Sequence, residues 1–297
     1  MSPSPPARVR SVLLALLVTF LWSTSWVLIK IGLDEIPALT FAGLRYTLAV
    51  GCLVPFLVAS RRRRCEMRAL TAADWGRLLA LALLLYTGTQ GAQFLALAHL
   101  PAQTTSLLLS FTPVVVAVAG VVLLAERPTG RQWSGVAVYL VGAAVFLYPP
   151  VFGGSQLFGV GVAVVGMLAN AGAALVGRAV NRRATVGPLV VTAVSMGIGG
   201  ICLLAAGVAV QGLPPLDPSG WLIVGWLAVV NTAVAFTLWT LTQRSLSATE
   251  SSVINSTMLI QIALLAWLFL AEWPGAGGLA GLALAALGVL LVHLPGR

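Results

Sequence analysis

Apart from His99, no residue between Arg77 and Glu126 is basic or acidic, and the run from Arg131 to Arg178 has no charge inside it at all. Stretches this long and this apolar constrain the fold more than any motif does. With 59% hydrophobic and 8% charged residues, a soluble domain would have too little polar surface to cover itself. The chain therefore reads as a polytopic, all-α membrane protein. A helix of roughly 20 residues crosses about 30 Å of hydrocarbon, and charges and turn residues divide the sequence into ten such stretches. They lie near 11–31, 38–59, 76–98, 102–124, 132–148, 156–178, 187–210, 219–243, 249–270 and 276–294. Within the charge-free runs the boundaries fall at His99-Leu100-Pro101 and at Tyr148 to Gly154, where Pro and Gly mark turns. The first stretch follows Arg8 and Arg10 as a secretion signal would. Its apolar run is too long for one and no small-residue cleavage site follows, so it reads as a retained span.

The formal charge of +9 would suggest nucleic acid in a soluble protein, but its distribution argues otherwise. Ten spans put both termini and the even-numbered connections on one side. That side collects every basic residue except Lys30 and Arg45, including the run Arg61 to Arg64. The bias predicts cytoplasmic termini and contact with anionic lipid head groups, and no nucleic-acid partner. Cys52, Cys65 and Cys202 have no spacing that suggests a disulfide or a metal site.

The sequence LLAERPTGRQWSGVAVYLVG from Leu123 is echoed by FLAEWPGAGGLAGLALAALG from Phe269, an offset of 146 residues. The same offset pairs Ser106 with Ser252, Ser110 with Ser256, Glu126 with Glu272, Pro128 with Pro274, Gly135 with Gly281 and Gly142 with Gly288. Acidic residues are scarce here and proline cannot continue a helix, so the Ala-Glu-x-Pro match marks an internal duplication, with halves at 1–150 and 151–297. Five spans per half is odd, so the second copy enters the membrane from the opposite side. Inverted repeats of this kind are the usual scaffold of secondary transporters, with the substrate near the midplane.

Three stretches then resemble a known family: LLVTFLWSTSWVLIKIGL around Trp22, FAGLRYTLAV at 41–50, and TPVVVAVAGVVLLAERPTGRQWSGVAVYLVGAAVF at 112–146. They are similar to the EamA domain of the drug/metabolite transporter superfamily. The likeness is clearer over 13–146 than over 160–294, where Leu168, Val176, Val191 and Leu259 replace the Trp, Lys, Arg and Pro of the first half. The resemblance implies ten transmembrane helices in two inverted five-helix repeats, in the bacterial inner membrane. It further implies export of small metabolites by alternating access, amino acids (aromatic ones among them) foremost. Multidrug, nucleoside or sugar-phosphate efflux is the alternative, since one fold serves all of these.

A carrier of zwitterions needs uncharged polar groups at mid-depth and a surface for the side chain. The expected substrate-binding residues are Trp22, Ser25, Tyr86, Gln90, Gln93, Ser110, Asn170, Trp239, Asn255, Met258 and Gln261. For Gln90 and Gln93 the competing role is helix–helix hydrogen bonding, and for Trp22 it is bundle packing. Trp26 is expected nearer the outer interface. Thr112-Pro113 is read as a packing kink, and Gly277 and Gly281 as a small-residue contact face. Glu126 and Glu272 are expected at helix ends, beside the N-terminus of the helix that follows each. Lys30 and Arg45, near the outer ends of the first two helices, could attract anionic substrates, but the expectation is that they snorkel or pair with Asp34 and Glu35. His99 and His293 sit at span ends and Cys65 lies in a loop, so neither nucleophilic nor metal-dependent catalysis is expected. No cofactor is expected. The expected partners are the lipid bilayer and an amino-acid-like small molecule; the sequence leaves the oligomeric state open and is compatible with a monomer.

Overall fold

The computed structural model describes residues 5–116, 118, 129–148, 153–183, 186–243, 245–246 and 248–293. Every expected stretch within them is helical. Eight helices among the described residues are long and apolar enough to cross a membrane. The fourth stretch is a shorter apolar helix, Ala102–Val116, which runs to the edge of the described residues. The fifth, Gly130–Leu147, has 18 residues and opens on the polar Gly130-Arg131-Gln132.

Local chemistry sets the ends. Pro188 and Pro218 occupy the first turns of Pro188–Gln211 and Pro218–Ala228, where the missing N–H costs nothing. Thr71 with Asp74, and Thr129 with Gln132, form reciprocal capping boxes at the third and fifth spans. Gly212, at φ 80°, closes the seventh span.

Four interruptions recur at repeat-equivalent positions. The third span runs Ala72–Leu81, then a π-helical segment Ala82–Gln90, then Gly91–His99. The eighth runs Pro218–Ala228, a π-helical segment Val229–Val234, then Ala235–Thr242. The fourth breaks at Ser110-Phe111, after Ala102–Leu109, and the ninth at Thr257, between Ala248–Ser256 and Met258–Leu270. Shifting the first-half positions by the repeat offset brings each onto its partner. Pro113 lies just beyond the fourth-span break, while Leu259 follows the other, so the ninth span breaks without a proline.

The helices form two compact units, each drawing on both halves of the sequence. One holds residues 1–28, 100–157 and 234–297, the other 29–99 and 158–233.

In the first unit the fifth and tenth spans cross on glycines. A Cβ on Gly142 would lie 2.4 Å from the Ala285 nitrogen and 2.7 Å from the Gly281 oxygen. One on Gly135 would lie 2.8 Å from the Gly288 oxygen. Gly135 is thus beside Gly288, and Gly142 beside Gly281, so the two helices run antiparallel, as inverted copies must. The contact face is therefore Gly135/Gly142 against Gly281/Gly288. Gly277, expected in it, meets nothing. Helix association in lipid depends on such close van der Waals approach, because lipid removes the hydrophobic driving force. Tyr139 is fully buried beside this crossing and donates its hydroxyl hydrogen bond to the Leu107 carbonyl. In the second unit Tyr46, Ala49, Leu53 and Leu57 of the second span pack with Tyr86, Val190, Ala193 and Met196. Gly43 and Gly207 admit the backbones of Leu204 and Thr40.

Glu272 accepts hydrogen bonds from the amides of Ala102 (3.0 Å) and Gln103 (3.4 Å), and Gln103 Nε2 donates back to the Glu272 carbonyl at 3.0 Å. A carboxylate at a helix N-terminus was the expectation, but the helix capped is the fourth span rather than the following tenth. The chain reaches this geometry through Ala271, whose φ of 54° is left-handed. Glu126 lies outside the described residues.

Candidate substrate site

The expected site residues fall into two groups, one in each compact unit.

In the first unit, Trp22 stands at the head of an aromatic set. Its ring centroid is 5.3 Å from that of Phe236 and 5.2 Å from that of Trp239, with planes tilted by 57° and 53°. These separations suit edge-to-face attraction. The Trp22 Nε1 atom is buried and has no acceptor among the described residues. One helical position on, Ser23 Oγ lies 2.8 Å from the Thr19 carbonyl and 2.9 Å from Gln261 Oε1, and its single proton serves one at a time. Gln261 Nε2 donates to Thr257 Oγ1 at 3.0 Å and to Thr19 Oγ1 at 3.4 Å. Those two hydroxyls spend their own protons on the Ile254 and Leu16 carbonyls. Gln261 thus ties the first span to the break in the ninth. Met258, half-buried, lies three residues before it on the same helix.

Ser25 donates to the Trp22 carbonyl at 2.6 Å and Ser110 to the Ser106 carbonyl at 2.7 Å, so both hydroxyls are satisfied by their own helices. Asn255 is exposed and sits on the other side of the Thr257 break from Gln261. Trp26 is buried at 7% exposure rather than turned to an interface.

In the second unit the π-helical segment of the third span carries Tyr86 and Gln90. Tyr86 is buried edge-on to Tyr46, centroids 5.6 Å apart, and the Tyr46 hydroxyl donates to Gln90 Oε1 at 2.6 Å. Gln93 is buried one turn further on. Asn170 is half-buried on the long helix Gly154–Arg183. That helix lies close against the π segment, for a Cβ on Gly88 would meet the Ala169 methyl at 3.1 Å.

Arg45 departs most from expectation. It is 4% exposed, and its Nε donates to Thr232 Oγ1 at 3.0 Å. Its guanidinium carbon lies 5.2 Å from the Tyr46 ring centroid and 6.0 Å from that of Phe94. It neither snorkels nor pairs with Asp34 or Glu35. Lys30 donates from Nζ to the Leu97 carbonyl at 2.6 Å, a cation on the last turn of the third span where the helix dipole favours it. Tyr46 and Phe236 touch the expected site residues and were not among them. The Arg-aromatic pair at 45–46 was the available signal for Tyr46.

The chemistry on offer is neutral and aromatic in the first unit, and cationic and aromatic in the second. Known proteins agree on the class of molecule. The pattern of the EamA-like transporter family matches residues 9–148 and again 157–294. An uncharacterised transporter of Bacillus subtilis is 27% identical over 242 residues, covering 78% of this chain and 75% of its own length. An S-adenosylmethionine/S-adenosylhomocysteine transporter of Chlamydia trachomatis is 24% identical over 297 residues, covering 95% and 89%. A probable amino-acid metabolite efflux pump of Escherichia coli is 26% identical over 242 residues, covering 76% and 75%. A solved crystal structure aligns over 95% of this chain and 97% of its own with a TM-score of 0.67 at 19% identity, which shows a shared fold. The chain is a multi-pass membrane transporter and belongs to the EamA-like transporter family.

Proposed function

We propose that this transporter exports amino acids or their close derivatives across the bacterial inner membrane by alternating access, with both termini in the cytoplasm. The observation that carries the reading is the Trp22, Phe236 and Trp239 aromatic set beside the Ser23–Gln261 hydrogen bond. A flat apolar surface next to an amide and hydroxyls suits an apolar side chain attached to a zwitterion, without the cost of burying a charge there. Met258 adds an adaptable apolar surface a turn from Gln261. Tyr86, Gln90, Gln93 and Asn170 offer further polar groups in the second unit. Ser25, Ser110 and Asn255 contribute less, the first two being bonded to their own helices. The bias of basic residues toward one set of connections supports cytoplasmic termini.

The names of the relatives support the substrate class. The Escherichia coli relative is named for amino-acid metabolites. The Chlamydia relative is named for S-adenosylmethionine and S-adenosylhomocysteine, molecules that end in an α-amino-acid group. Uptake of radiolabelled tryptophan, leucine and S-adenosylmethionine into liposomes bearing the purified protein, with and without a pH gradient, tests the reading. Saturable uptake competed by other amino acids, and weakened in Trp22→Ala and Gln261→Leu, is the expected result. No uptake of any of the three by folded protein, or kinetics unchanged in both variants, would overturn it.

A further inference from the structure

Arg45 is a buried cation. It lies seven residues into the second span (Ala38–Ala59), roughly 10 Å along the helix axis. Among the described residues no carboxylate pairs with it. Of the five N–H donors on a guanidinium, the Nε–H alone has a hydrogen-bond partner among them, Thr232 Oγ1. A charge held this deep with no counterion is expensive, and an ionisable group inside a membrane domain points to function.

The described surroundings hold the guanidinium in one orientation and supply no anion. The Thr232 hydroxyl donates to the Leu227 carbonyl at 2.8 Å, so its oxygen is left to accept from Nε. The rings of Tyr46 and Phe94 flank the group at cation–π distance. Tyr46 is itself tethered to Gln90. Thr232 and Gln90 lie on the two π-helical segments, Val229–Val234 and Ala82–Gln90, the repeat-equivalent irregularities of the eighth and third spans. Such segments cluster at functional sites. Here both bring a polar side chain to the Arg45-Tyr46 pair, one fixing the Nε edge and the other the neighbouring ring. The terminal nitrogens remain, and a fork of two N–H donors matches a carboxylate.

We propose that Arg45 is an anion-recognition site that takes the carboxylate of a small organic acid on its terminal nitrogens, with Thr232 and Tyr46 as positioning residues. That the carboxylate is an amino acid's rests on the function proposed above. The recognition of a carboxylate does not.

The test measures thermal stabilisation of the purified protein by two matched pairs of ligands, benzoate against benzamide and tryptophan against tryptophanamide. In the wild type each carboxylate stabilises and its amide does not. In Arg45→Gln the preference disappears, the apparent affinity for benzoate falling roughly tenfold to a hundredfold. In Thr232→Val, which keeps the charge and frees Nε, it weakens. Benzoate preference with no effect of tryptophan sustains the site and counts against amino acids as substrate. Equal stabilisation by acid and amide in the wild type, or full preference retained in Thr232→Val and in folded Arg45→Gln, overturns the proposal. The wild-type comparison and Thr232→Val decide the matter even if Arg45→Gln fails to fold.

Discussion

Replacing Gly142 with Ala tests the glycine crossing by a single methyl group. An added Cβ there would stand 2.4 Å from the Ala285 nitrogen, 2.7 Å from the Gly281 oxygen and 2.9 Å from the Leu284 carbonyl carbon. All three are backbone atoms, so no side chain can swing away, and restoring ordinary contact requires the helices to part by about 1 Å. A gap of that size forfeits roughly a quarter to a half of each dispersion contact along the seam, and forced overpacking costs about 1–3 kcal/mol. Alanine is also the better helix former, by about 1 kcal/mol. The control is therefore Gly51→Ala, inside the second span, where an added Cβ meets nothing within 4 Å. The propensity gain is common to both variants and cancels, leaving Gly142→Ala about 1–3 kcal/mol less stable than Gly51→Ala. Unfolding in mixed micelles of increasing SDS, followed by circular dichroism, reads the difference as a shift in midpoint. Equal midpoints for the two variants would refute the close-approach account of how these spans meet.

Three further outcomes follow from the same geometry. Glu272→Ala leaves the Ala102 and Gln103 amides without their acceptor; a cost of about 1–2 kcal/mol is expected, read as faster hydrogen exchange in the first turn of the fourth span, with Glu272→Gln intermediate. Glu66 accepts from the Gly187 amide at 3.1 Å and from Arg62 at 2.9 Å, and these bonds hold its carboxyl below the usual carboxylate range. A depressed folded-state pKa gives stability that is present above the unfolded value and lost as pH falls through the folded one. The protection of the Gly187 amide, its exchange rate relative to the intrinsic rate at the same pH, should therefore fall as the pH drops below about 4, and Glu66→Gln should remove that dependence. At Ala271 the left-handed backbone (φ 54°) disfavours side chains, and branched ones most. Ala271→Gly should leave stability unchanged or raise it by up to about 1 kcal/mol, while Ala271→Val lowers it by about 1–2 kcal/mol. Equal SDS midpoints for the two would show that this conformation is not adopted.

The number of helices and the turns between them were legible because charge, Pro and Gly punctuate an otherwise apolar chain, while the limits were less so: the sixth span runs Gly154–Arg183 against an expected 156–178. The glycine pairs were legible as repeat partners, though not their contact: the sequence drew attention to Gly277, which meets nothing, over Gly288. The π-helical segments were not legible. One extra residue in a turn shifts the phase of a helix by about 100°, and in stretches of Leu, Ala, Val and Gly there is too little polar contrast for that shift to show. Arg45 was misread for a different reason. Near the start of a span a cation that snorkels and one that is buried have the same local sequence, and the hydroxyl that holds this one lies 187 positions away. The helix that Glu272 caps was missed likewise, its partner being 170 positions back along the chain rather than next in order. Trp22 and Gln261, expected as substrate-binding residues, fall in an aromatic set and a polar cluster, whereas Phe236, beside Trp22, has no signal in the sequence, because a phenylalanine in a membrane helix is not distinctive.

The crossing of Gly135 on Gly288 and Gly142 on Gly281 has the form of a two-fold dimer contact, in which each position meets the counterpart of the other. A surface that mates with its own copy has no need of a covalent link to find it. The halves 1–150 and 151–297, produced as separate polypeptides, would carry matching faces, and each would also present a face that its own duplicate can use. An ancestral half-length chain assembling in pairs would have met the same steric demand at these glycines. Joining two such halves in one chain makes an equilibrium that would depend on concentration an intramolecular one, and leaves each copy free to differ on its remaining surfaces.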